Sequence, residues 1–288
     1  MPAGRRRHPR PHDPGELPLR SVATALLLSA DGQSGFHAPT IADFFPDPVL
    51  FAGTWFEFGR IQFVRMVVAV FLALLFVLVA RRATLVPGRL QSGVEMLLDF
   101  VRTGIAEDIL GKKDAKRFVP LLTTLFVSVL GFNLTGVIPG LNIAGTSRIG
   151  LPLVLALWVY VVYLGAGVRK QGVGGFLRSS LFPPGVPPFL YVLLTPVEFL
   201  QVFVLRPATL ALRLMANMMA GHLMLVLCFS ATAYFLLEAA PAMKAFGVLT
   251  FASSMVMTLF EVFVAVLQAY IFAILTAVYI SMSLTEEH

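Results

Sequence analysis

The chain has 288 residues, 57% of them hydrophobic and only 13% charged, with a mean hydropathy of +0.82. Soluble domains carry about 25% charged residues, so these figures exclude a soluble enzyme and indicate an all-α polytopic membrane protein. The formal charge of +6 would also suit a nucleic-acid binder, but the basic residues sit in loops between apolar spans, where they set topology, and no nucleic-acid partner is expected.

Residues 1–35 form a tail rich in Arg, Pro and His, of a composition that favours disorder or processing. Its apolar run Ser21–Ala30 is too short to span a bilayer. A cleaved signal peptide and an over-long start are both open readings. Residues 36–288 form the membrane domain. Up to residue 60 it mixes Gly, Pro and acids with Phe44, Phe45, Trp55, Phe56 and Phe58, a pattern suited to the membrane interface.

The first span covers about 61–80 and ends at Arg81-Arg82. Between 83 and 117, Leu90, Val94, Leu97, Leu98, Val101 and Ile105 recur at helical spacing among charges, which predicts an amphipathic helix on the membrane surface. The second span runs over about 118–138 and stops at Pro139-Gly140; the third, about 151–168, stops at Arg169-Lys170. A Gly- and Pro-rich loop is predicted over 171–188. The stretch 189–237 reads as a fourth span, carrying Glu198 and ending near Val204, followed by a tilted helix after Arg206-Pro207. The last stretch, 245–282, contains no proline. At 1.5 Å per residue it would be roughly 57 Å long, about twice the hydrocarbon thickness, so it must tilt strongly or protrude. The expectation is five transmembrane helices plus a surface helix, the last two long and strongly tilted. The loops after spans one and three are basic, which puts them, and after five crossings the C-terminus, in the cytoplasm.

Arg213 lies inside an apolar stretch, where a guanidinium at mid-membrane costs on the order of 3 kcal/mol. No acid near it in sequence neutralises it. At 100° per residue Arg206, Thr209, Arg213 and Asn217 share a stripe, whereas His222 points to the other side of the same helix. Glu261 and Gln268, seven residues apart, share a face of the last helix. If the two helices are antiparallel neighbours joined near Pro241, His222 comes close to Glu261 and Arg213 close to Gln268, to about one turn. An imidazole beside a carboxyl can pass a proton, which suits a relay through the membrane. A guanidinium stays charged; its role would be to attract a carboxylate, ionise it and block proton flow past itself. Singly, an intramembrane Glu or His can be a helix–helix hydrogen bond; the five polar residues together resist that explanation. Arg206 can be an interfacial anchor, and Glu198 stays open between structure and function. Asn133 reads as a packing or channel-lining amide, and Cys228 as a small buried hydrophobe.

Gly32-Gln33-Ser34-Gly35 matches the Gly-x-Ser-Gly of intramembrane serine proteases, but in a polar loop rather than a span. There is no P-loop, no His-Glu-x-x-His and no cysteine cluster. No catalysis by the chain itself and no cofactor are expected.

At these residues the sequence resembles subunit a of the F-type ATP synthase. Leu212-Arg213-Leu214-Met215-Ala216-Asn217-Met218-Met219-Ala220-Gly221-His222 is similar to that family's Leu-Arg-Leu-x-x-Asn-x-x-Ala-Gly-(Glu/His) signature. Leu267-Gln268-Ala269-Tyr270-Ile271-Phe272, with Leu275-Thr276 and Tyr279-Ile280, resembles its C-terminal signature. Gly111-Lys112-Lys113 and Asn133-Leu134-Thr135-Gly136-Val137-Ile138-Pro139 extend the likeness. Many relatives have glutamate at His222 and histidine at Glu261, an exchange that keeps one acid and one imidazole; this choice and the lysines resemble actinobacterial members. The resemblance implies a bacterial plasma-membrane, non-catalytic proton-channel stator in a heteromeric complex. It further implies that Arg213 faces a carboxylate on the rotating c-subunit ring and separates two half-channels. Asn217, His222, Glu261, Gln268 and Thr209 would belong to proton translocation, and b-type peripheral-stalk subunits would be partners beside the c-ring. The alternative from another class is a secondary transporter with an intramembrane charged site, but that class favours internal repeats and none is visible.

Overall fold

The computed structural model describes residue 40 and residues 59–84, 88–138, 145–182 and 188–284, all within the unit Ala38–His288. The 1–35 tail with its Ser21–Ala30 run and Gly-x-Ser-Gly match lies outside the described residues, as do the aromatic segment before Gly59 and the end Glu286-Glu287-His288. Among the described residues there is no strand. Five helices are long and apolar enough to cross a membrane: α1 (Arg60–Arg81), α2 (Arg89–Leu134), α3 (Gly150–Leu181), α4 (Tyr191–Glu238) and α5 (Lys244–Leu284).

The amphipathic pattern forms the first limb of α2. Leu90 is exposed, Val94, Leu97 and Leu98 are half-buried, and Val101, Ile105 and Ala106 are buried. The limb ends at Gly111, whose φ of 74° and ψ of 159° break the helix; glycine reaches that region without a Cβ clash. Helix resumes through the basic run from Lys112, so the helical part of the second limb starts six residues before the apolar sequence that marks a span.

Two other expectations need correction. The Gly- and Pro-rich loop predicted from residue 171 is helical to Leu181. Its chain turns at Gly172, φ 75°, and the following stretch folds back: Phe176 is buried against the Tyr163 ring, centroids 6.4 Å apart, and beside Gly167. Packing of this one aromatic overrides the poor helix propensity of the glycines around it. The fourth span does not end near Val204 either; α4 is continuous through Arg206-Pro207 to Glu238. Between Gln201 and Leu205 its turns widen to i→i−5 bonding, and the Arg206 N–H reaches Gln201 O. The widened turn lies directly before Pro207, whose missing N–H and ring disfavour a regular helical register there.

α5 is the hub, packed against α2, α3 and α4, while α1 meets chiefly α2. The buried side of α5 is lined with Ala265, Ala269, Ala273 and Ala277, small side chains that let helices approach closely in lipid. Its last carbonyls are capped from α3: Lys170 Nζ donates to Leu284 O at 2.6 Å and Gln171 Nε2 to Ser283 O at 3.1 Å. A cation at a helix C-terminus also complements the helix dipole. At the other end of the bundle Arg65 of α1 holds the segment before α3, donating from Nε to Gly145 O at 2.7 Å and from Nη2 to Arg148 O at 3.3 Å.

Candidate functional site

α4 and α5 run antiparallel, tied at intervals by polar contacts. The Arg206 guanidinium lies over the Tyr279 ring, 5.5 Å from its centroid. Eleven residues further along α4, and eleven back along α5, Asn217 Nδ2 donates to Gln268 Oε1 at 2.8 Å. Near the far end the hydroxyls of Thr232 and Ser254 are 3.3 Å apart. Glycines set the spacing between these ties. A Cβ on Gly247 would stand 2.6 Å from Leu236 Cδ2, and one on Gly221 would stand 3.6 Å from Glu261 Oε1. The Glu261 carboxyl therefore lies over Gly221, the residue before His222.

The two sides of α4 differ in kind. Leu210, Ala211, Leu214, Met218, His222 and Leu225 are buried, whereas Thr209, Arg213 and Asn217 are exposed. On α5, Glu261 is 1% exposed and Gln268 2%. Gln268 pairs with Asn217, one turn beyond Arg213; the register opposite Arg213 is held by buried Phe272. Arg213 makes no hydrogen bond or ion pair with the described residues, and around it Leu212, Ala216, Ala220 and Met224 are exposed as well.

Both carboxyl oxygens of Glu261 are buried without a hydrogen-bond partner among the described residues. α2 reaches the same seam: Leu134 packs on Met218 and Ala265. Its neighbour Asn133 is fully buried, with Oδ1 accepting from Thr146 Oγ1 at 2.6 Å and Nδ2 without a partner. Buried polar atoms in native proteins are nearly always satisfied, which sets the Glu261 oxygens and Asn133 Nδ2 apart from most of the other buried polar groups. Glu198 is half-buried on the first half of α4, twenty residues or more from these groups along the chain. Among the described residues no three potential metal ligands come together.

Sequence reasoning passed over two contributors. Ser254 precedes Glu261 by the same seven residues that separate Glu261 from Gln268, a repeat on the buried face of α5. Tyr163 gave no such signal. Its hydroxyl donates to the backbone oxygen of Val202 at 2.9 Å, and no side-chain spacing reports a backbone acceptor on another helix.

Fold and seam define an all-helical multipass membrane protein with a buried acid–imidazole–amide line and an outward guanidinium, Arg213, on the apolar face of α4. The family described as ATP synthase A chain matches residues 62–281. The chain is 48% identical to the ATP synthase subunit a of Rhodococcus erythropolis (strain PR4 / NBRC 100887), over 88% of this chain and 92% of that one. It is 38% identical to the subunit a of Pseudarthrobacter chlorophenolicus over 90% and 97%, and 41% identical to that of Parafrankia sp. (strain EAN1pec) over 89% and 86%. The chain belongs to the ATP synthase subunit a family.

Proposed function

We propose that this chain is the stator of the proton channel in a bacterial F-type ATP synthase and has no catalytic role of its own. In this reading Arg213 faces a carboxylate on each passing c subunit and keeps it ionised while the two are opposed. On either side of that position a half-channel reaches part way through the membrane, so that a proton crosses only by riding the ring. His222 and Glu261, with Asn217, Gln268 and Thr209, serve the path between water and the ring, and rotation couples that flow to ATP synthesis. The c-ring and b-type peripheral-stalk subunits are the partners. The plasma membrane is the location, and the C-terminus is cytoplasmic. Support for that orientation comes from the Lys170–Leu284 bond, which joins the end of α5 to the basic end of α3.

The observation that carries the reading is the exposed Arg213 on an apolar helix face, without an acidic partner among the described residues. A guanidinium in lipid needs a counter-charge, and here it must come from another subunit. Replacing Arg213 with alanine in the assembled complex should abolish ATP-driven proton pumping in vesicles; coupled pumping that survived the change would overturn the proposal.

A further inference from the structure

The widened turn of α4 leaves one carbonyl without a main-chain donor. The Arg206 N–H bonds to Gln201 O, so the next donor in that register, for Val202 O, is residue 207. That residue is a proline and has no N–H. Val202 is 2% exposed, so its carbonyl is screened from solvent, and the group that meets it is the hydroxyl of Tyr163 on α3, at 2.9 Å. Tyr163 is itself 2% exposed, wedged between the rings of Tyr160, Phe176 and Tyr279. Arg206 and Pro207 line the same small gap as Tyr160, Tyr163 and Tyr279.

A widened turn holds one residue more than a regular one, so the helix on one side of it is rotated by about 100° relative to a continuous α-helix. The direction in which Arg213 points thus depends on whether the turn at 201–205 keeps its i→i−5 register. Beyond Arg213 the helix is fixed to α5 by the Asn217–Gln268 bond; before it, the widened turn is fixed to α3 by Tyr163. Arg213 lies between the two.

We infer that Tyr163 is a positioning residue for Arg213: its hydroxyl stands in for the amide that Pro207 lacks, and so holds the widened turn that aims the guanidinium. The inference rests on the proposed role of Arg213 but is tested apart from it. Tyr163→Phe removes the donor and keeps the ring. Pro207→Ala supplies an N–H where Val202 O can accept it. In assembled complexes reconstituted into vesicles, Tyr163→Phe should lower ATP-driven pumping by about three- to tenfold, the equivalent of one lost hydrogen bond. Pro207→Ala alone should pump within about twofold of the parent, and Tyr163→Phe/Pro207→Ala should recover most of the loss. A ring that served only packing would show no such rescue. Normal pumping by Tyr163→Phe overturns the inference. So does a defect in pumping or assembly that Pro207→Ala leaves unrelieved; assembly lost in the single variant and regained in the double supports it. Arg213→Ala run alongside separates the two claims: if it abolishes pumping while Tyr163→Phe pumps normally, only the positioning role fails.

Discussion

Glu261 is almost fully buried and neither of its oxygens has a hydrogen-bond donor among the described residues. A carboxyl left that way is poorly explained as a packing group, since a structural acid would carry its partner with it. Its position over Gly221 puts it at the level of His222, and a proton passed between an acid and an imidazole has no preferred order of residues along the chain. Exchanging the two therefore keeps the chemistry. His222→Glu and Glu261→His alone should each lower proton pumping on the order of a hundredfold, the scale of a lost proton-transfer group, and the double exchange should recover at least part of that. Vesicle pumping measured for the three variants decides it; an exchange no better than the single changes would mean that the two side chains do not act together. The division of α4 into an Arg213 side and a His222 side was legible in sequence because 100° per residue is enough to compute it. The partner of Gln268 was legible only to a turn. Side chains on antiparallel helices meet according to interhelical distance, and that is set by glycines whose contacts no sequence pattern states.

Helix limits were less legible than helix existence. Apolar runs locate the part of a helix that lies in lipid, whereas the backbone can stay helical beyond it, as it does from Lys112 and as far as Leu181. Breaks were hidden for the opposite reason. Gly111 and Gly172 turn the chain at positive φ, yet neither differs in sequence from glycines that stay helical. Packing around the fold-back after Gly172 gives a test. A Cβ on Gly167 would stand 2.4 Å from the Phe176 ring and 3.2 Å from Ser283 Cβ, while one on Gly174 meets nothing within 4 Å. Phe176 is 3% exposed and held against Tyr163, so it has little room to retreat. Gly167→Ala should destabilise the chain by about 1–3 kcal/mol through overpacking, whereas Gly174→Ala should be neutral or stabilising by up to about 1 kcal/mol, as for a helical glycine without crowding. Thermal unfolding of the purified complex in detergent compares them. Equal midpoints would show that the folded-back limb of α3 is not packed as described.

At the scale of the whole molecule, α4 and α5 pack as one wall along their polar seam. α5 buries its alanine face against α2, α3 and α4, and both helices keep large apolar side chains outward, among them Leu212 and Met224 on α4 and Leu259 and Phe263 on α5. Such a surface needs lipid or another subunit against it. In the proposed stator role the pair of helices must resist shear, and three ties along the seam would supply the resistance: Arg206 on Tyr279, Asn217 on Gln268, Thr232 on Ser254. A slip of one residue would rotate each partner by about 100° and separate all three at once. The Thr232–Ser254 pair reports the register at the end away from the widened turn, with oxygens 3.3 Å apart, close enough for sulfur atoms in their place to bond after a small adjustment. In a chain whose only cysteine, Cys228, is replaced by alanine, Thr232→Cys with Ser254→Cys should form an intramolecular disulfide in high yield on mild oxidation, seen as a mobility shift that a reductant reverses. Moving the second cysteine one residue, to Met255, which is exposed, should abolish the bond. Because the two helices are held as one wall in this arrangement, the oxidised form should pump protons as well as the reduced one. A disulfide that failed to form would remove the register on which the His222–Glu261 pairing rests. One that formed but stopped pumping would show that the wall has to flex each time a c subunit passes.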